Sequence, residues 1–107
     1  MNHGLSAATL AKIHGVLSDH PEVERAVLYG SRAKGNFKPG SDIDLTLMGS
    51  GLDGRIRGRI DEELDELLLP YEFDLSLFAD LSHPALLDHI RRAGVVFYEK
   101  KLIGTNH

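Results

Sequence analysis

The chain has 107 residues, enough for one domain with a buried core and too few for two, so we expect a single domain over residues 1–107. The net charge of −4 and the scattered basic residues argue against a long nucleic acid as ligand, because binding to its backbone requires a basic surface. The chain has no cysteine, no apolar core of a signal peptide and no apolar run of about 20 residues. We therefore expect a cytoplasmic protein that is not bound to a membrane.

The first part of the chain is predicted to form a helix and a central strand. Apolar residues at helical spacing predict a helix from Ser6 to Leu17, and Pro21 ends it because the residue before a proline avoids helix. Val23 to Tyr29 follows as a strand. Its residues 26–29 are all apolar, which is typical of a strand that is covered on both faces.

A glycine-rich turn and a loop separate this strand from a second one. Gly30 and Ser31 predict a turn that opens a short helical turn over residues 32–34, and residues 36–41 are rich in turn formers. Residues 42–48 alternate between polar and apolar side chains, which predicts a strand. Its polar face carries Asp42, Asp44 and Thr46, and its apolar face carries Ile43, Leu45 and Leu47.

The second half of the chain continues with a helix, a strand, a helix and a strand. The first helix is predicted over residues 54–69, with an apolar stripe formed by Ile56, Ile60, Leu64, Leu67 and Leu68. Residues 71–78 alternate again and predict a third strand, whose polar face carries Glu72, Asp74 and Ser76. A helix that begins at Pro84 and ends at Gly94 leads into a fourth strand over residues 95–98, and we expect the tail after it to fray.

This order of elements predicts an α/β (α+β) domain built on a small mixed β-sheet. We expect the helices on one face of the sheet and the carboxylates on the opposite face. An open polar face in so small a domain indicates that a ligand or a partner covers it.

The carboxylates are spaced as a binding site for divalent metal requires. Asp42 and Asp44 are two residues apart on one strand, so both project from the same face with Cα atoms roughly 6.5–7 Å apart. Such a pair can share a hard cation, and Mg²⁺ suits it because Mg²⁺ takes oxygen ligands completed by water and substrate phosphates. Asp74 is the best candidate for a third carboxylate, whereas Glu72 is read as a solvated strand residue.

The turn before the loop is the candidate phosphate site. Glycine at position 30 lets the backbone approach phosphate oxygens, and Ser31 offers a hydroxyl and an N–H at the start of a helical turn. Arg32 and Lys34 are candidates to neutralise the leaving pyrophosphate. The histidines show no ligand spacing, so we interpret all six as structural or surface residues: His3, His14, His20, His83, His89 and His107.

These motifs together resemble the minimal nucleotidyltransferases (MNT), the smallest branch of the polymerase-β-like nucleotidyltransferase superfamily. The superfamily signature is Gly-Ser, about ten residues, Asp-x-Asp and a later Asp, and here Gly30-Ser31, Asp42-Ile43-Asp44 and Asp74 match it. Residues 30–35 also resemble the usual Gly-Ser-Arg-Ala-Arg-Gly of the branch, with lysine at position 34. The resemblance covers residues 5–99.

The resemblance implies a polymerase-β-like fold and the antitoxin of a toxin–antitoxin pair. It further implies a Mg²⁺-dependent protein adenylyltransferase that moves AMP from ATP onto a tyrosine of a HEPN-domain toxin. In that reading Asp42, Asp44 and Asp74 are the catalytic and metal-binding residues. Two alternatives stay open: an antitoxin that neutralises its partner by binding alone, and a nucleotidyltransferase that acts on a small molecule.

Overall fold

The computed structural model describes residues 4–100, and its elements follow the predicted order. Four helices and four strands alternate along the chain, and a short 3₁₀ turn at Phe78–Asp80 follows the third strand. Their bounds are α1 (Ala7–Ser18), β1 (Arg25–Tyr29), α2 (Ser31–Lys34), β2 (Ile43–Met48), α3 (Gly54–Asp65), β3 (Phe73–Leu77), α4 (Pro84–Ala93) and β4 (Val95–Glu99). The tail predicted to fray begins in order: Glu99 still belongs to β4 and the Lys100 N–H donates to the Glu24 carbonyl, whereas residues 101–107 lie outside the described residues.

The four strands form one mixed sheet in the order β3-β2-β1-β4. Strand β1 is central and pairs antiparallel with both β2 and β4, whereas β2 and β3 are parallel. A parallel pair needs a crossover, and α3 supplies it between these two strands. The beginnings of β2 and β3 therefore lie side by side, next to the end of β1.

One face of the sheet holds the main core under α1 and α3. The alternating apolar positions of the strands pack there against both helices, which leaves the intervening positions for the other face. The fully buried members of this core include Ile13, Leu17, Leu28, Ile43, Leu45, Leu47 and Ile60. Ser6 caps α1 by accepting the Thr9 N–H, and Asp53 caps α3 by accepting the Ile56 N–H.

The mixed sheet is confirmed, but the expectation that all helices lie on one face needs correction. Helix α4 packs on the opposite face, where its buried Ile90 contacts a second apolar cluster with Val27 and Tyr29 of β1. Because β1 is apolar on both faces, its second face must also be buried, and α4 buries it. The carboxylate face is therefore only partly open.

Helix α3 ends earlier than its apolar pattern predicts. It stops at Asp65, and Leu68 has a φ of 55° with 89% of its surface exposed, so Leu68 is not on the inner stripe. Two turn hydrogen bonds end the helix, from the Leu67 N–H to the Leu64 carbonyl and from the Leu68 N–H to the Asp65 carbonyl. Within residues 4–100, none of the helices combines the length and the apolar character needed to cross a membrane.

Candidate functional site

Three carboxylates lie where β2 and β3 begin. Asp44 and Asp74 are partners in the register of these parallel strands, and Asp42 comes one residue before β2. Asp42 and Asp74 are exposed, whereas Asp44 is half-buried. The structure thus brings together the three carboxylates that the sequence predicts as a group.

Burial and the neighbouring carboxylates act together on the pKa of Asp44. Burial raises its pKa above the ordinary value of 3.8, the negative charges of Asp74 and Asp42 raise it further, and His89 partly opposes the rise. The ionised form of Asp44 is therefore disfavoured in the folded protein. A cation placed among the carboxylates would relieve this repulsion.

We expect the Asp44→Asn variant to be more stable than the wild type at pH 7. A carboxyl with a raised folded-state pKa ionises more easily when the chain unfolds, so the wild type loses stability as pH rises through that pKa. The difference in melting temperature should shrink as pH falls to 3.8 and below, because the carboxyl of the unfolded chain then becomes protonated as well. Thermal melts of both proteins from pH 3.5 to 8 measure it, with Asp61→Asn on the exposed side of α3 as the control. A gap that stays constant with pH would contradict this assignment.

The turn at Gly30 and Ser31 lies directly beside the carboxylates. Tyr29, the last residue of β1, is the register partner of Asp44, so the chain leaves β1 next to that carboxylate. Gly30 has φ 76° and ψ −156°, a conformation open essentially only to glycine. In addition, a Cβ at this position would collide with Oδ2 of Asp44. The backbone conformation thus requires glycine, and any Cβ at this position would force the Asp44 carboxylate to move.

Ser31 and Lys34 occupy the two ends of the short helix α2. The Lys34 N–H donates to the Gly30 carbonyl at 3.2 Å, so the N–H groups before Lys34 lie at the open end of the helical turn. Ser31 is half-buried next to Gly30, and Lys34 is exposed. The fold therefore places Ser31 next to the glycine that lies against Asp44, and it leaves Lys34 exposed to solvent.

Arg32 does not occupy the position expected of a phosphate ligand. Only 1% of its surface is exposed, and its guanidinium donates to the carbonyls of Ser41 (2.9 and 3.1 Å) and Pro39 (3.3 Å). The guanidinium also lies over the rings of Phe37 and Tyr71, at 5.1 and 4.8 Å from their centroids. Arg32 thus anchors the loop that leads into Asp42, which is a structural reason for an arginine at this position.

Three hydroxyl groups line the floor of the carboxylate face. Thr46 Oγ1 is buried and has no hydrogen-bond partner among residues 4–100, and Ser76 Oγ is buried on the neighbouring strand. The Tyr29 phenol lies near them, and its pKa is raised mainly by burial and also by Asp74 and Asp44, with the Ser76 hydroxyl opposing the rise. These groups keep the interior of this face polar below the carboxylates.

His89 is a residue of this site that the sequence interpretation missed. Its Nε2 accepts a hydrogen bond of 2.9 Å from the Gly30 N–H, and its ring meets Tyr29 edge-on at 6.1 Å between centroids. The two partners are 59 positions apart in the chain, and no motif connects them. Only the packing of α4 on the carboxylate face brings them together.

The residues at this site fit a divalent cation. Carboxylate oxygens are the ligands that Mg²⁺ prefers, and here burial, together with the charges of Asp74 and Asp42, raises the pKa of Asp44. In the part of the chain that the structure describes, no three His, Asp or Glu side chains form a metal site by themselves. The coordination would therefore be completed by water or by phosphates of a substrate, as is usual for Mg²⁺.

Comparison with known families identifies the fold. The family model for polymerase beta nucleotidyltransferases matches residues 11–102, most of the chain. The chain belongs to this nucleotidyltransferase family. No curated protein sequence matches it significantly.

Solved structures show the same fold at low sequence identity. A chain in the crystal structure of a toxin–antitoxin with AMP-PNP is 24% identical, with a TM-score of 0.69 over 86% of this chain and 74% of the other. A chain in the structure of a tri-AMPylated Shewanella oneidensis HEPN toxin in complex with an MNT antitoxin is 22% identical, with a TM-score of 0.64 over 87% and 71%. A nucleotidyltransferase of unconfirmed activity from Sulfolobus solfataricus is 21% identical, with a TM-score of 0.52 over 85% and 78%.

Proposed function

We propose that this nucleotidyltransferase transfers AMP from ATP to a tyrosine hydroxyl of a HEPN-domain toxin and so acts as the antitoxin of the pair. The observation that carries the proposal is the pairing of Asp44 with Asp74 directly beside the Gly30 turn. Family membership supplies the reaction class. The similar structures that contain AMP-PNP or an AMPylated HEPN toxin support the choice of nucleotide and acceptor.

Each residue of the site has a separate role in the transfer. Asp42 and Asp44 would hold Mg²⁺, which when bound neutralises charge on the triphosphate. Asp74, exposed on the neighbouring strand, accepts the proton of the acceptor hydroxyl. The hydroxyl oxygen forms a bond to the α-phosphorus, the bond from that phosphorus to the bridging oxygen breaks, and pyrophosphate leaves. Ser31 and the N–H groups at the start of α2 hold the β- and γ-phosphates, and Lys34 adds positive charge.

The open edge of the site favours a protein as the acceptor. Asp42 and Asp74 are exposed, so a residue on the surface of a partner can approach them without a change in the fold. The two other functions predict different results. A binding antitoxin neutralises the toxin without modifying it, and a transferase for small molecules leaves the toxin unmodified and active.

Incubation with labelled ATP and the HEPN partner tests the proposal. With Mg²⁺ we expect a mass increase of one or more AMP units on a partner tyrosine, and with EDTA we expect none, because the carboxylates and the triphosphate repel one another without a cation. The wild-type partner and its Tyr→Phe variants, analysed by intact-mass and peptide mass spectrometry, identify the acceptor. Neutralisation of the partner without added mass would instead establish the binding antitoxin, and equal label transfer with EDTA would overturn the metal assignment.

A further inference from the structure

We propose that His89 is a positioning residue that holds the Gly30–Ser31 turn in the shape that binds phosphate. This inference rests on the proposed nucleotidyl transfer, since it concerns the same turn. His89 donates nothing to the turn; it accepts the Gly30 N–H through Nε2 at 2.9 Å. That bond joins helix α4, near the end of the chain, to the first residue of the phosphate turn.

The bond matters because of the conformation of Gly30. At φ 76° and ψ −156° the residue lies outside the wells that regular structure stabilises, and neither α2 nor the sheet uses its N–H. His89 supplies the acceptor that this half-buried N–H would otherwise lack among residues 4–100. Loss of the acceptor would favour rotation of the turn, which would displace Ser31, the next residue of the turn.

The acceptor is itself held in place by packing. The next residue on α4, Ile90, is buried against Val27 and Tyr29, and the His89 ring packs edge-on against Tyr29. The backbone of α4 therefore sets where Nε2 lies. Two features of His89 can be separated by substitution: its ring, which contacts Tyr29, and its acceptor nitrogen, which contacts Gly30.

Two variants separate these features. His89→Phe keeps an aromatic ring against Tyr29 and removes the acceptor, whereas the side-chain oxygen of His89→Gln can take the place of Nε2. We expect His89→Phe to weaken the binding of ATP with Mg²⁺ about tenfold by calorimetry, in the range for losing one hydrogen bond, and His89→Gln to stay within about threefold of the wild type. The control is His83→Ala, which changes the exposed N-cap residue just before the same helix, whose side chain makes no capping bond.

Amide hydrogen exchange tests the bond without any need for transfer. In the wild type the Gly30 amide should exchange at least about tenfold more slowly than the exposed Gly40 amide, and His89→Phe should remove most of that protection. The proposal would be overturned if the two amides exchanged at the same rate in the wild type. It would also be overturned if the His89→Phe and His89→Gln variants bound ATP with the same affinity. If exchange and binding behave as expected but no AMP reaches the partner, the positioning role stands and the proposed transfer fails.

Discussion

The double variant Asp42→Asn, Asp44→Asn is expected to fold as the wild type does and to transfer no measurable AMP. Each substitution keeps the size of the side chain and removes a charge, so the cation and the triphosphate lose the groups that bring them together. Removing a single stabilising group from an active site typically costs about 10²–10³ in rate, so the pair should cost at least about 10³. The readout is the rate of AMP transfer to the partner, with the melting temperature measured in parallel.

A matched control and the melting temperature separate catalysis from folding. The control is Asp61→Asn, Asp65→Asn, which removes two exposed carboxylates from α3 and should leave transfer unchanged. The site variant should melt at or above the wild-type temperature, because repulsion between Asp44 and its neighbours is relieved. A site variant that unfolds would show that the two aspartates stabilise the fold, and transfer at the wild-type rate would refute their catalytic assignment.

The fold could be predicted from the sequence wherever a pattern was periodic. The alternation in residues 42–48 and 71–78 predicted which side chains of β2 and β3 share a face, and the structure places Asp44 opposite Asp74 accordingly. The apolar residues 26–29 predicted a strand covered on both faces. That same observation already implied a helix on the second face, which the interpretation of a one-sided helix layer overlooked.

The remaining features depend on contacts between residues distant in sequence. Three histidines that were interpreted as structural or surface residues have different roles: His14 ties α1 to the Phe97 carbonyl, His20 pairs with Glu63 of α3, and His89 reaches the site. Nothing in the local sequence distinguishes these roles. Arg32 shows the converse. Its place in the motif predicted a phosphate contact, but its guanidinium is buried against the Phe37 ring and the carbonyls of the loop. A motif thus identifies the residue types of a site, and only the tertiary structure decides which of them face the ligand.

Substitution of Gly30 by alanine is expected to damage both the fold and the transfer. The residue adopts a conformation that costs other residues about 1–3 kcal/mol, and its new Cβ would displace the carboxylate of Asp44. Transfer should fall by about 10²-fold, because a shift of roughly 1 Å in a reacting group can have that effect. The measurements are the rate of AMP transfer to the partner and the free energy of unfolding in urea.

Two other glycines of the same segment make this test specific. Gly35 also has a positive φ, 86°, but no atom lies within 4 Å of a Cβ there, so Gly35→Ala should cost about 1–2 kcal/mol of stability with little change in transfer per folded molecule. Gly40 has neither the positive φ nor a neighbour in that range, so Gly40→Ala should be neutral or slightly stabilising. The decisive comparison is between Gly30→Ala and Gly35→Ala. If both variants lose stability equally and both keep their transfer rate, the contact between Gly30 and Asp44 has no role in the reaction. Backbone strain alone would then account for the loss of stability.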